Sequence, residues 1–261
     1  MKYNLERDLA EIDKKGFVIK KNILKESHCN KLKKYLIKIT NLRLIKGEKI
    51  YEEDGSVRIC NFFLEDYKLT KLLTNNYLDN ILNKLLGKDY VLRLANGMNV
   101  QKNDYEKKRL GTGWHTDWLY NYNNEKFGYG ASYHVIFALD DFKKENGATH
   151  LIPCSHKKKN KPIRNKNYKS KLLIMKKGSM AIFDSSIWHK SGHPSNLSRW
   201  GLWCVYTHWW VKPYFRFNEI FSKSIRNKLS KKIKRLLHLN SIPPLNSKKR
   251  VLTVTKLSVQ K

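Results

Sequence analysis

The sequence is short of acid. Only 22 of its 261 residues are Asp or Glu, against 53 Lys and Arg, for a formal net charge of +31. It is also short of cysteine. Cys29, Cys60, Cys154 and Cys204 lie far apart and form no CxxC pair. That excludes a disulfide framework and reads as reduced, buried thiols in a cytoplasmic protein. No apolar run approaches 18 residues, so no transmembrane helix is expected. Acids interrupt residues 1–16, where a secretion signal needs an apolar stretch. What is present argues for a folded protein. Apolar residues make up 41% and aromatics 12%, too many for a disordered chain. The length suits one large domain or at most two, with a core that needs no disulfides.

The acid shortage is uneven. Residues 1–150 hold 27 basic and 20 acidic residues, whereas residues 151–261 hold 26 basic and only Asp184 and Glu219 as acids. Such a bias fits a polyanion partner, or a Lys-rich drift at solvated positions.

Periodicity divides the chain in three. Leu5, Leu9 and Ile12 share a helical face that stops at Gly16, and Phe17-Val18-Ile19 reads as a strand. Ser27 is a plausible N-cap for a helix burying Cys29, Leu32, Tyr35, Leu36 and Ile39. Residues 50–63 look extended around an Asp54-Gly55 turn, and 69–86 read as one helix closed by Gly87. From residue 90, short β-type runs (90–101, 131–139, 148–152, 171–175, 179–184, 199–211) alternate with turns. This pattern predicts a sandwich or jelly roll. All seven Trp lie between Trp114 and Trp210, giving this part rigid walls. Residues 217–239 return to helical spacing, with an apolar stripe opposite a basic face, until Pro243-Pro244. The expected organisation is a single domain over 1–216 (N-terminal helices 1–89, jelly-roll core 90–216), then a basic amphipathic helix and tail over 217–261.

The chemistry concentrates in Gly113-Trp114-His115-Thr116-Asp117-Trp118. On an extended segment, His115 and Asp117 point the same way, so one imidazole and one carboxylate can share a metal. An isolated HxD is as easily a packed surface pair. A second His, in Trp188-His189, follows an apolar strand and its turn. Two His and one carboxylate leave open octahedral positions, which suits non-haem Fe(II); zinc competes as a four-coordinate site. Arg199 lies ten residues after His189, one hairpin away in a jelly roll. Its guanidinium could clamp a carboxylate.

Several linked segments resemble the phytanoyl-CoA dioxygenase family of Fe(II)/2-oxoglutarate-dependent oxygenases. They are Gly16-Phe17-Val18-Ile19, Trp114-His115-Thr116-Asp117, Ala138-Leu139-Asp140-Asp141, Glu145-Asn146-Gly147-Ala148-Thr149, Ile152-Pro153-Cys154-Ser155-His156, Trp188-His189-Lys190-Ser191-Gly192 and Asn196-Leu197-Ser198-Arg199. They run in order over residues 5–212. Cys154 stands where the family usually has Gly, and Ile136 stands near a common strand Trp.

The resemblance implies a double-stranded β-helix (jelly-roll, cupin-like) core, mainly β with flanking helices. It implies Fe(II) held by His115, Asp117 and His189, with 2-oxoglutarate and O₂ as co-substrates. Arg199 would pair with the distal carboxylate of 2-oxoglutarate, Ser191 would add a hydroxyl, and Thr112 and Asn99 would lie beside it. Gln101, Trp118, Tyr120 and Trp203 would wall the substrate pocket, with 119–130 and 156–170 as the lid. His193 loses the ligand role to His189, which follows Trp188 as in the family pattern. Halogenating relatives replace the ligand acid with a small residue, so Asp117 favours hydroxylation or desaturation.

The expected function is hydroxylation of a small or lipid-like, anionic metabolite, with release of succinate and CO₂. Two other readings stand beside it. One is an inactive jelly-roll module that binds anionic membrane or nucleic acid through its basic half. The other is an oxygenase held peripherally at an anionic membrane by 217–239, against the simpler reading that this stripe packs on the jelly roll. A nucleic-acid partner ranks low, because the aromatics crowd around the iron motifs instead of lining a basic groove.

Overall fold

A computed structural model describes residues 4–50, 56–101, 113–117, 130–193 and 197–239. Helix α1 (Leu5–Lys15) is capped by the Asn4 side chain and ends at Gly16, whose φ of 88° only glycine adopts freely. The chain then enters β1 (Phe17–Lys20) and α2 (Glu26–Ile45). Helix α2 starts one residue before Ser27, and Lys25 occupies the cap position with no side-chain bond. Strand β2 (Val57–Cys60) follows; the expected Asp54-Gly55 turn lies outside the described residues. The helix expected over 69–86 is two pieces. A 3-10 segment (Tyr67–Leu73) precedes α3 (Asn76–Leu86), because Asn75 turns extended and caps the Leu78 amide.

The β strands follow: β3 (Val91–Val100), β4 (Ser132–Ala138), β5 (His150–Leu151), β6 (Lys171–Leu172), β7 (Met180–Asp184), β8 (His189–Lys190) and β9 (Arg199–Thr207). They form an antiparallel six-stranded sheet in the order β1-β7-β4-β9-β3-β2, and a smaller sheet in the order β6-β5-β8. Helices α1 to α3 cover one face of the large sheet and bury the main core with it, including Leu36, Leu78, Val135, Ile182 and Leu202. Gly97 permits the contact with α2, since a Cβ there would lie 2.7 Å from Leu36. The other face packs against the small sheet around Phe17, Ile136, Phe142, Leu151 and Phe183. Central strands β4 and β7 are therefore buried on both faces, which explains their unbroken apolar runs. This is the mainly-β jelly roll with flanking helices that the alternation predicted.

The helix expected over 217–239 is three short ones: α4 (Phe217–Ile220), α5 (Lys223–Lys228) and α6 (Lys231–Leu236). Ser222 and Ser230 cap the amides of Ile225 and Ile233, and each cap restarts the helix in a new direction. The apolar stripe is not free for a membrane. Phe217, Phe221, Leu229, Ile233, Leu236 and Leu237 are buried in the main core. Two basic residues of this segment are tied down as well, Lys232 to Asp79 at 2.8 Å and Arg235 to the Tyr90 carbonyl at 2.6 Å. No helix among the described residues is long and apolar enough to cross a membrane. Two of the thiols expected to be buried are not: Cys29 and Cys204 are, Cys60 is half-buried and Cys154 is exposed.

Candidate metal and co-substrate site

Two loops bring the ligand residues together. Residues 113–117 form no long strand, yet His115 and His189 exchange both backbone hydrogen bonds (3.0 and 2.9 Å), which sets their rings side by side at 4.2 Å. The Asp117 amide and the Thr116 hydroxyl both donate to the Ser185 carbonyl at 3.0 Å. Ser185 belongs to the turn that feeds β8. Buried Asp184 closes this turn by accepting from the Ser186 amide (2.7 Å), the Ser186 hydroxyl (2.5 Å) and the Gly130 amide (2.8 Å). Behind the site, Tyr168 packs edge-on against both Trp114 and Trp188. The Arg164 carbonyl accepts from the Trp114 amide. Residues 156–170 are therefore a brace; none of them lines the cavity where half of a lid was expected.

One ligand atom each from His115, Asp117 and His189 falls within 4.8 Å of the others. Both imidazoles are preset as ligands. His115 Nδ1 sits 2.8 Å from the Gly113 carbonyl and His189 Nδ1 sits 2.9 Å from the Ile187 carbonyl. A carbonyl only accepts, so Nδ1 carries the proton and each Nε2 keeps its lone pair for a metal. His189 Nε2 is buried without a hydrogen bond, 3.4 Å from Asp117 Oδ2. An orphaned buried nitrogen beside a carboxylate fits a divalent cation. Two nitrogens and one oxygen suit iron better than the softer sulfur-rich sites do.

The electrostatics agree. Burial pulls the His115 pKa down, helped by the charge of His189. Burial also opposes ionisation of Asp117, but the closeness of His189 and of the His134 and His115 imidazoles outweighs it and holds the carboxyl far below its usual range. The same pair raises His189 against the pull of its own burial. Burial takes His134 down to about 3.

The ligand atoms open on a cavity of about 560 Å³, lined by residues that include Arg93, Asn96, Met98, His134, Thr149, Ser191 and Trp203. Ser191 and Trp203 are among the lining residues. Asn99 is not: Asn96 and Met98 supply the cavity face of β3, and Asn99, of opposite parity, shares the face of Gly97 that meets α2. Gln101 ends β3 half-buried and outside the lining. Thr112, Trp118, Tyr120 and most of the expected lid over 119–130 lie outside the described residues. His193 is not part of the ligand cluster. The sequence reading undervalued His134, Arg93 and Thr149, which the cavity brings in.

Arg199 shares the face of β9 that carries Trp203 and Val205. It is buried, with Phe142 beneath its guanidinium at 4.0 Å. Nε donates to the Asn146 carbonyl (3.1 Å) and Nη2 to the Gly147 carbonyl (2.8 Å). Among the described residues no carboxylate lies within ion-pair reach of it, and burial lowers its pKa to about 9. A buried cation without a protein anion fits the distal carboxylate of 2-oxoglutarate.

Comparison with known proteins meets this geometry. The family model for phytanoyl-CoA dioxygenase (PhyH) matches residues 12–199. The chain belongs to the phytanoyl-CoA dioxygenase family. Its curated relatives match only in part. The uncharacterized proteins Mb1539 of Mycobacterium bovis and Rv1501 of Mycobacterium tuberculosis are each 36% identical over 66 residues, 25% of this chain and 24% of theirs. Solved structures share the fold. HygX from Streptomyces hygroscopicus, with nickel and 2-oxoglutarate bound, has a TM-score of 0.63 at 12% identity, covering 80% of this chain and 89% of its own. The epimerase SnoN in complex with Fe3+, alpha ketoglutarate and nogalamycin RO has 0.60 at 16%, covering 78% and 83%. The carbocyclase SnoK from nogalamycin biosynthesis has 0.60 at 13%, with the same coverage. The matching family model is named for a dioxygenase, and HygX and SnoN each hold a metal ion with 2-oxoglutarate (alpha ketoglutarate).

Proposed function

We propose that the protein is an Fe(II)- and 2-oxoglutarate-dependent oxygenase that hydroxylates a small anionic metabolite. The observation that carries this reading is the convergence of His115, Asp117 and His189 on one point, with both Nε2 atoms preset as donors. Bound iron would supply O₂ activation coupled to oxidation of 2-oxoglutarate to succinate and CO₂. The chain's own residues do the rest. His115, Asp117 and His189 would hold the metal through two imidazole nitrogens and one carboxylate oxygen, a set that leaves positions for co-substrate and O₂. Arg199 holds the far carboxylate of 2-oxoglutarate, and Ser191 and Thr149 offer hydroxyls on the cavity wall. Because Asp117 is itself a ligand, no position is left for a halide in its place.

An anionic substrate is supported by the charge of the cavity wall. Arg58 and Arg93 line the cavity, and Asp117 is the only acid among its described lining residues. Arg93 stacks its guanidinium on Tyr214 at 4.1 Å, which holds the charge at the cavity edge. Neighbours of the same fold are named as an epimerase and a carbocyclase, so the class of product is a separate measurement from turnover. The test is succinate release from 2-oxoglutarate with Fe(II) and O₂ across a panel of carboxylate, phosphate and neutral metabolites. Wild type is expected to turn over and His115→Ala to fall to background. Equal succinate from both would overturn the ligand assignment, and preference for neutral metabolites would overturn the anionic substrate.

A further inference from the structure

His134 is a buried imidazole that the ligand set leaves unused. It sits mid-strand in β4, is 3% exposed, and belongs to the cavity face. Its ring stacks flat on Phe183, with centroids 4.8 Å apart and planes within 9°. That contact fixes the ring plane, so the two nitrogens point in defined directions.

One nitrogen meets Trp203. The indole N–H can only donate, and it donates to His134 Nδ1 at 2.5 Å. Nδ1 is therefore the unprotonated nitrogen of a neutral ring, and the proton is on Nε2. Nε2 lies 3.2 Å from Asp117 Oδ2 and, among the described residues, has no hydrogen bond. A buried donor with one acceptor in reach needs only a small rotation of that carboxylate to be satisfied. Asp117 gains as much, because its side chain is 41% exposed and the cavity opens beside it. Oδ1 lies 3.9 Å from His115 Nε2, while Oδ2 is also 3.4 Å from His189 Nε2.

We propose that His134 is a positioning residue for the metal-binding carboxylate. Its Nε2–H, fixed in that tautomer by the Trp203 indole, holds Asp117 Oδ2 and leaves Oδ1 to the metal. The inference rests on the ligand assignment above. Three strands take part: β4 supplies His134, β9 supplies Trp203 and β7 supplies the Phe183 platform. Trp203 then has two duties, as cavity wall and as the group that sets the tautomer.

The test is titration of the metal-free protein with Co(II), read by visible absorption, which needs neither O₂ nor substrate. His134→Leu removes the donor and is expected to weaken Co(II) binding roughly ten- to hundredfold and to alter the spectrum. His134→Gln keeps an N–H near the position of Nε2 and is expected to restore most of the affinity. Trp203→Phe keeps the wall, frees the tautomer, and is expected to cost roughly three- to tenfold. Wild-type affinity and spectrum in folded His134→Leu would overturn the positioning role while leaving the ligand set intact. Should that variant not fold, unchanged binding by Trp203→Phe would overturn it instead. If wild type binds no Co(II) and releases no succinate, the ligand assignment falls and the positioning role falls with it.

Discussion

Replacing Arg199 by Met removes the one buried cation assigned to 2-oxoglutarate while keeping most of the side chain's volume over Phe142. Deleting one partner of a buried, hydrogen-bonded charge pair costs about 2–5 kcal/mol. At about 1.4 kcal/mol per decade, that weakens 2-oxoglutarate roughly 30- to 4000-fold. Arg199→Lys keeps the charge but loses the planar fork, so a smaller loss of about tenfold is expected. The substitution also removes donors to the Asn146 and Gly147 carbonyls. The turn they belong to keeps independent ties, because Asn146 accepts from the Lys143 amide (2.8 Å) and donates to the Asp141 carbonyl (2.7 Å). The fold is therefore expected to survive, and relief of the buried charge offsets part of the lost bonding. Two assays separate the effects: succinate release at varied 2-oxoglutarate, and anaerobic titration of the metal-loaded protein with 2-oxoglutarate. The expected result is a raised KM for 2-oxoglutarate with kcat within a few-fold of wild type. A folded Arg199→Met protein with unchanged KM would refute the assignment.

Other consequences follow from particular contacts. Buried Asp8 takes both the Lys20 Nζ (2.7 Å) and the Tyr77 hydroxyl (3.0 Å), joining α1, β1 and α3. Asp8→Ala is expected to cost about 3 kcal/mol in urea unfolding, and a loss below about 1 kcal/mol would contradict it. Cys154 adopts the left-handed conformation at φ 65°, where the family usually has Gly. Cys154→Gly relieves about 1 kcal/mol of strain and returns roughly half as chain entropy, so Tm should rise slightly; a clear fall would show that the thiol has a packing role. Truncation to 1–216 strips the main core of Phe217, Phe221, Leu229, Ile233, Leu236 and Leu237. At about 1.5–3 kcal/mol each, the loss rivals a whole domain's stability of about 5–15 kcal/mol, and a truncated form with wild-type Tm would refute the packing. Finally, the Asp117 pair raises the His189 pKa. A metal must then displace that proton, so Co(II) affinity should fall about tenfold per pH unit below the raised pKa. Constant affinity from about pH 7 to about pH 5 would count against this.

Local chemistry was legible where a residue's role depends on its neighbours in the chain. The stop at Gly16, the strand runs and the HxD pair are of that kind. His189 could be preferred to His193 because a motif surrounds it. Roles that depend on strand parity were harder. Asn99 and Met98 are adjacent, and which of them meets the cavity is decided by the register of β3 on β9, a one-residue slip exchanging the faces. A bulge between Leu92 and Leu94 shifts that phase before Asn99 is reached. Strand β4 offers no alternation at all, since Tyr133 to Ala138 are buried on both faces. Nothing local marks His134 as facing Asp117. Its donor, Trp203, lies 69 residues further along and meets it only across the β4–β9 pairing. In 217–239 the 3.6-residue period survived in the apolar positions, but Ser222 and Ser230 were available as caps and divide it.

The acid shortage acquires a structural reading from these contacts. Residues 151–261 hold only two acids, so their cations must find partners elsewhere. Some reach back to acids of the first half, as Lys157 does to Asp13 at 3.0 Å and Lys232 to Asp79 at 2.8 Å. Others sit over rings: Lys158 on Trp188 at 4.7 Å, Lys190 on Trp114 at 4.8 Å and Arg235 on Tyr90 at 4.7 Å. Arg199 uses backbone carbonyls, which neutralise nothing, and so keeps its full charge for a bound anion. Exposed pairs of the first kind contribute about 0–1 kcal/mol each; these two tie Lys157 to α1 and α6 to α3. The same imbalance that leaves the chain positive also leaves, among the described residues, the Arg199 guanidinium buried without an acid beside it, and an acidic co-substrate is the natural complement to that charge.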